Sequence, residues 1–439
     1  MKSALIQLVI LFACSSLSIA QIPTFTTDGN QIKSPCGEVF VMRGVNYSLV
    51  DDWNFPANVY NGKELSKEII KANPNTVRIQ WYVDYGQPSR PALTLEALDS
   101  VISRFARAGI ASMIELHDFT YTHHDTAAFN ASGLTWWTSQ PVIDLLNKHK
   151  SYLFLNVANE FGPAWYPGPA FNYNPNYNAQ LPAWKTHQIN IIKKLRAVGI
   201  ELPIVIDGPN YSLDYTYVLN NGADLVNADP LKRVILSCHA YWSGNQNDMN
   251  NIVDQLSAAS FPIILGEIGN VDAECNAIPY TDVLTRAQSK NLGWLAWTWN
   301  RDHCAARNMT ANDPNGVNVP ANDGLFSTLT AFGQTIVNTP EFGLATKAVK
   351  ADFSCVTSIQ EEEKLDWKIF PNPSSDFIYL ENLNKSEIKS LKILNIDGKL
   401  IRILKSNSSS ISIQDLADGL YILDIESAKG NFKARFIKQ

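Results

Sequence analysis

Eight short apolar runs, each followed by an amphipathic or polar stretch, limit what this chain can fold into more than any other feature. They run from Val41 to Tyr47, Thr76 to Trp81, Ala111 to Asp118, Tyr152 to Glu160, Pro203 to Asn210, Val234 to Tyr241, Pro262 to Ile268 and Leu292 to Asn300. Between runs, Leu93 to Ala108 and Ala183 to Val198 carry apolar residues at three- and four-residue spacing, with Gly109 and Gly199 just beyond. That is the period and the stop signal of a helix. Strand then helix, repeated about eight times, predicts a (β/α)8 TIM barrel. A doubly wound open sheet is the alternative, but no glycine-rich phosphate loop follows the first strand.

In such a barrel the carboxyl ends of all the strands face one mouth, so the residues ending each run are candidates for a shared site. They are Arg78, His117 and Asp118, Asn159 and Glu160, Asp207 and Asn210, His239 and Tyr241, Glu267, and Trp297 and Trp299. Glu160 and Glu267 close the fourth and seventh runs. Paired carboxylates across a mouth suit glycoside hydrolysis, in which one protonates the leaving oxygen and the other attacks or activates water. Apolar walls such as Phe161 and Trp165 would raise the acid's pKa by desolvation, and a cation such as Arg78 would keep the other ionised. Sugar rings stack on aromatic faces, which makes Trp53, Trp81, Trp165, Trp242 and Trp297 subsite candidates, with core packing equally expected of any one of them. Trp297 and Trp299 share a strand face by their two-residue spacing, and Trp297 is expected to floor the site.

The rest of the chain narrows the class. With Lys+Arg 36 against Asp+Glu 42 the net charge is -6, which gives no footprint for nucleic acid or anionic lipid. Lys2, the apolar run Ala4 to Ala13 and the small residues at Ser18-Ile19-Ala20 read as a signal peptide over 1–20. A lipoprotein reading of Leu11-Phe12-Ala13-Cys14 fits less well because of Phe12. No later stretch is long and apolar enough for a transmembrane anchor. His117, Asp118, His123, His124 and Asp125 match no zinc spacing, and the Asn312 to Gly324 loop lacks the bidentate Glu of a calcium loop, so no metal or other cofactor is expected. Of six cysteines, Cys14 would leave with the leader and Cys238, inside an apolar run, reads as an inert buried thiol.

The strand-helix pattern stops after Phe342. Residues 343–363 read as a linker, and 364–439 show short alternating strands with turns such as Asp397-Gly398, which predicts a small C-terminal β-sandwich. The expected division is a leader over 1–20, a catalytic barrel over 21–342, the linker and the sandwich.

Taken together and in order, Arg78 in Asn-Thr-Val-Arg, His117 in Glu-Leu-His-Asp, Asn159-Glu160, His239-Ala-Tyr241, Glu267 in Leu-Gly-Glu-Ile-Gly and Trp297 in Gly-Trp-Leu-Ala-Trp-Thr-Trp resemble glycoside hydrolase family 5. The resemblance covers roughly residues 40 to 340. It implies a retaining mechanism with Glu160 as acid/base and Glu267 as nucleophile. It also implies that Asn159 and His117 bind the sugar in the minus-one subsite, that Arg78 and Tyr241 bracket Glu267, and that His239 sits beside Glu160.

Ile-Glu-Leu-His-Asp and Leu-Asn-Val-Ala-Asn-Glu are closer to the bacterial β-mannanase branch, subfamily 8. An endo-β-1,4-mannanase acting on a β-linked polysaccharide is therefore expected. An endo-β-1,4-glucanase is the alternative, and a non-catalytic glycan-binding surface protein is the alternative of another class. The chain departs from that branch in an aromatic, proline-rich insertion after Glu160 that holds Trp165, Tyr166, Phe171, Tyr173 and Tyr177. Cys275 and Cys304 follow adjacent strands, and Cys36 and Cys355 lie at the two ends of the barrel segment, so each pair is expected to form a disulfide. Ile369-Phe-Pro-Asn-Pro, Asn395-Ile-Asp-Gly-Lys and Leu416-Ala-Asp-Gly-Leu-Tyr resemble a type A sorting domain of the type IX secretion system. That implies secretion machinery as a partner and a chain released or attached to the outer cell surface. A monomer is expected.

Overall fold

Side-chain alternation builds the barrel. In the strands β4 (Arg43–Tyr47), β5 (Thr76–Trp81), β6 (Ala111–Leu116), β7 (Leu153–Asn156), β8 (Ile204–Asp207), β9 (Val234–His239), β10 (Ile263–Ile268) and β11 (Gly293–Ala296), nearly every residue is buried. These strands pair parallel with their sequence neighbours, and β11 closes on β4 to form an eight-stranded barrel. Burial on both faces is why they read as unbroken apolar runs. A small antiparallel sheet of β1 (Thr26–Asp28), β2 (Gln31–Lys33) and β3 (Val39–Phe40) precedes them. The computed structural model describes residues 23–49, 65–83, 94–120, 122, 124–166, 172–300, 302–311, 324–356, 368–381, 388–395, 399–404, 410–427 and 430–439. The expected leader, Trp53, His123, Phe171 and most of the calcium-like loop lie outside these residues.

Two apolar clusters separate by strand parity. Val45, Val77, Ile79, Ile114, Leu155 and Leu236 face the helices, whereas Met113, Phe154, Val205, Ile235, Ile264 and Leu295 form the inner core with Phe25 and Phe40. Continuing the inner parity toward the carboxyl ends gives Asn46, Arg78, Glu115, Asn156, Asp207, Ser237 and His239, all buried. The barrel is thus apolar at its amino end and polar at its mouth. The helix Leu95–Arg107 shows how the outer layer is built. Thr94 caps its first turn by accepting from Ala97 N–H, and Leu98, Val101, Ile102 and Phe105 are buried on one face.

The expected linker is corrected in its first part. Residues 343–356 belong to the barrel unit: Leu344 and Ala348 join the outer core, and Asn75 Nδ2 donates to Val349 O at 2.8 Å. Cys355 is bonded to Cys36, with Cα atoms 5.5 Å apart and a sequence separation of 319. Apolar Leu344 and Ala348 lacked a strand-helix period, and that hid their burial. Closing a loop this long restricts the unfolded chain most. Replacing Cys36 and Cys355 by Ser is expected to lower stability by about 3–5 kcal/mol. Denaturant melts showing a loss under about 1 kcal/mol would rule the brace out.

The chain divides at Thr357, and the second unit spans Ser358–Gln439. One sheet orders β12 (Lys368–Phe370), β13 (Phe377–Glu381) and β16 (Ser410–Ser412), and the other orders β15 (Leu400–Leu404), β14 (Ile388–Asn395), β17 (Gly419–Ser427) and β18 (Gly430–Lys438). Ile378, Leu391, Ile393, Ile411, Leu423, Ile425 and Phe436 fill the core of this small sandwich.

Candidate active site

Arg78 is the hub of the mouth. Fully buried on β5, it donates through Nη1 to Glu267 Oε1 at 2.8 Å and Asn46 Oδ1 at 3.0 Å, and through Nε to Asn156 Oδ1 at 2.8 Å. Its Nη2 donates to Asn159 Oδ1 at 2.6 Å and Asp207 Oδ2 at 3.2 Å. A planar guanidinium with five donors suits this many partners, and lysine would not. Removing it leaves buried carboxylates without their cation. Arg78→Met is expected to cost about 3–5 kcal/mol of folding stability, and a chemical-denaturation midpoint that does not move would refute this.

Glu267 is 4% exposed on β10. Strict alternation from Ile264 would turn it outward, but the register shifts between Leu265 and Glu267. The bulge turns the carboxylate into the mouth. Gly266 permits this, because a Cβ there would lie 2.2 Å from Ser237 Oγ. Tyr241 OH donates to Glu267 Oε2 at 2.8 Å, so both oxygens are held. Burial, then the adjacent Glu267 charge, raises the Tyr241 pKa and keeps it a proton donor.

Glu160 lies four residues past the end of β7, with φ of +50° in the left-handed region. Asp207 pins that conformation by accepting Glu160 N–H at 3.1 Å. His239 Nδ1 bonds Glu160 Oε1 at 2.8 Å and lies 3.6 Å from Glu267 Oε2, while its Nε2 lies 3.4 Å from Asp207 Oδ2. Burial raises the Glu160 pKa and nearby Glu267 and Asp207 add to the rise, against the lowering effect of His239. Burial alone would lower His239, but Glu267, Asp207 and Glu160 lift it to about 10. Burial would likewise raise Asp207, yet His239 and Arg78 outweigh it and hold that carboxyl low. One oxygen of Glu160 and one of Glu267 lie with a His239 ring nitrogen inside a 4.8 Å span.

The aromatic residues divide. Trp297 is 8% exposed, its ring lies parallel to His117 at 5.6 Å, and its Nε1 donates to Asp302 Oδ2 at 2.6 Å. His117 Nδ1 pairs with Glu115 Oε1 at 2.8 Å. Asn159 Nδ2 donates to Thr120 Oγ1 at 2.9 Å. Trp299 does not share the Trp297 environment, because the strand ends at Ala296. It is fully buried in the outer core with Nε1 on Gly324 O at 3.0 Å, so it is a packing residue. Trp165, five residues beyond Glu160 in sequence, is 42% exposed. Trp81 is buried at 4% and Trp242 donates to Leu213 O at 3.0 Å.

Sequence reasoning placed Asp207 among the strand-end candidates without a specific role, and it did not single out Asn46, Glu115, Asn156 or the Asp302–Arg307 pair. Arg307 Nη1 meets Asp302 Oδ2 at 3.2 Å, and its guanidinium lies 4.7 Å from the centre of the Tyr241 ring. Cys275 and Cys304 are bonded and join the loop after β10 to the loop carrying Asp302. The signal for the strand residues was a polar side chain interrupting an apolar run at inner parity. Nothing local marked Arg307. Among the described residues, the groups that could hold a metal are the disulfide pair with His303 and the Glu160–His239–Glu267 cluster. The first is spent as a disulfide, and in the second Glu160 Oε1 is bonded to His239 Nδ1 while both Glu267 oxygens are held by Arg78 and Tyr241.

Paired carboxylates at the mouth of a (β/α)8 barrel define a glycoside hydrolase, and the comparisons fix which kind. The family described as Cellulase (glycosyl hydrolase family 5) matches residues 34–303, more than half of the chain, and the chain belongs to that family. A secretion system C-terminal sorting domain matches residues 368–439. A mannan endo-1,4-beta-mannosidase of Salipaludibacillus agaradhaerens is 25% identical over 63% of this chain and 81% of its own length. One from Cellvibrio japonicus is 27% identical over 72% of this chain and 66% of its own. The mannanase catalytic domain of Streptomyces sp. SirexAA-E superposes with a TM-score of 0.61 at 20% identity, covering 79% of this chain and 98% of that one, which shows the shared fold. The sorting domain addresses the chain to secretion machinery and to the cell exterior or surface. Among the described residues, no helix is long and apolar enough to cross a membrane.

Proposed function

We propose that this glycoside hydrolase is a retaining endo-β-1,4-mannanase with Glu267 as nucleophile and Glu160 as acid/base. The observation that carries the mechanism is the closeness of the two carboxylates, within a 4.8 Å span that includes His239. Retaining enzymes hold the pair about 5 Å apart, whereas inverting ones leave room for a water. Glu267 attacks the anomeric carbon as the glycosidic C–O bond breaks, and Glu160 passes its proton to the leaving oxygen. The resulting carboxylate of Glu160 then takes a proton from water, whose oxygen displaces Glu267 from the same carbon. Net retention follows from two displacements.

The surrounding residues fit these roles. Arg78 and Tyr241 hold Glu267 as an oriented anion, and the protonated His239 holds Glu160 in place. Asn159 spends one amide proton on Thr120 and has a second to offer a sugar hydroxyl. The Trp297 face, fixed by Asp302 and His117, is the floor for the sugar that becomes covalently bound.

The names of the relatives favour mannan, and one relative from Caldicellulosiruptor saccharolyticus, described as "Beta-mannanase/endoglucanase A", keeps a glucanase as the second reading. Assay of the secreted protein on galactomannan, glucomannan and carboxymethylcellulose separates them. Galactomannan is expected to be cleaved fastest, and turnover confined to carboxymethylcellulose would overturn the mannan assignment.

A further inference from the structure

Trp165, Tyr166 and Tyr173 are 42%, 50% and 66% exposed, and they are the exposed aromatic side chains among the described residues of the barrel unit. Single exposed rings are ordinary on a soluble protein. Three on one loop, which begins at the proposed acid, call for a reason.

The described backbone on either side of the rings is hydrogen-bonded in place. Trp165 N–H donates to Asn210 Oδ1 at 3.0 Å, and Asn210 N–H donates back to Pro163 O at 2.8 Å. Asn174 N–H donates to Trp165 O at 2.7 Å and its side chain to Ala164 O at 3.0 Å. Trp165 meets the buried Tyr177 edge-on at 5.3 Å, and Tyr166 lies 5.8 Å from Tyr173. A pre-ordered aromatic surface loses little entropy on binding and offers flat apolar faces to a pyranose ring.

Barrel order decides which part of a substrate meets it. The loops after β7 and β8 lie across the barrel from β11 and β4 respectively, since three strands lie between each pair in either direction around the closed order. Trp297, at the end of β11, floors the sugar that stays on Glu267. The leaving oxygen must reach Glu160 past the end of β7, so the departing chain leaves over the loops after β7 and β8.

We propose that Trp165, Tyr166 and Tyr173 form a stacking wall for the leaving-side sugars of a β-linked polysaccharide. This rests on the assignment of Glu160 as the acid. The test measures kcat/KM on mannohexaose and on an aryl β-mannobioside, whose leaving group is a single phenol, in parallel with cellohexaose and an aryl cellobioside. Trp165→Ala, Tyr166→Ala, Tyr173→Ala and the Trp165→Ala/Tyr173→Ala double variant are compared with the parent, with thermal melts confirming that each is folded.

For the parent's preferred sugar, the ratio of oligosaccharide to aryl-glycoside kcat/KM is expected to fall about 3- to 10-fold per ring, chiefly through KM. Tyr166→Phe and Tyr173→Phe, which keep the ring, are expected to restore the ratio. An unchanged ratio in every variant overturns the proposal, as does an equal fall on both substrates, which would mark a structural role. A parent protein that turns over neither pair overturns the catalytic reading itself, and the wall falls with it.

Discussion

Glu267→Gln is expected to lower kcat on mannan by about 100,000-fold, because it replaces the carboxylate proposed to bond the anomeric carbon with an uncharged, weakly nucleophilic amide. The substitution keeps the shape of a side chain that is 4% exposed and packed between Arg78 and Tyr241. Arg78 retains Asp207 as a partner, and the Tyr241 hydroxyl can accept from the new amide as readily as it donated to the carboxylate. Stability should therefore change far less than rate. The stereochemistry of rescue makes the assignment sharper. With Glu267→Ala, azide can enter the vacated space and attack the same face, giving a glycosyl azide of inverted configuration. With Glu160→Ala, azide would instead attack the covalent intermediate and give the retained product. Product configuration read by NMR separates the two roles, and retained azide from Glu267→Ala would reverse them.

Much of the barrel was legible because burial on both faces leaves each strand as an apolar run, and Thr76–Trp81 was bounded correctly by that signal alone. Bounds elsewhere ran long. The run through Glu160 reads as one strand, yet the ladder ends at Asn156 and the chain turns into a left-handed residue that Asp207 holds from 47 positions away. A local pattern carries no trace of such a contact. Glu267 could be located but its direction could not, since alternation from Ile264 points it outward and only the bulge brings it back. Trp299 failed for the opposite reason: its spacing from Trp297 implied a shared face on a strand that had already ended. The polar residues at inner parity, Glu115 in Ala-Ser-Met-Ile-Glu-Leu and Asn156 in Leu-Phe-Leu-Asn, were visible as interruptions. What they would touch was not. Arg307 acts through a ring belonging to another strand's loop, so its place near Tyr241 follows only from the fold.

The second large effect concerns the proton. Glu160→Gln is expected to lower kcat/KM on the polymer about 100- to 10,000-fold while lowering kcat/KM on an activated aryl glycoside far less, because a nitrophenolate leaves without protonation and a sugar alkoxide does not. The pH profile gives the same assignment a sign. Burial raises the Glu160 pKa, with Glu267 and Asp207 contributing, so the group stays protonated above the ordinary carboxylate value of about 4.3. Protonated Glu160 is the active form, and the rate therefore falls as pH rises through that raised value. His239 cannot produce this limb near neutrality, since its own titration is displaced to about 10 and it remains a charged donor to Glu160 throughout. In Glu160→Gln the basic limb should vanish from the aryl-glycoside profile. Survival of the basic limb at its original position would mean that another group delivers the proton.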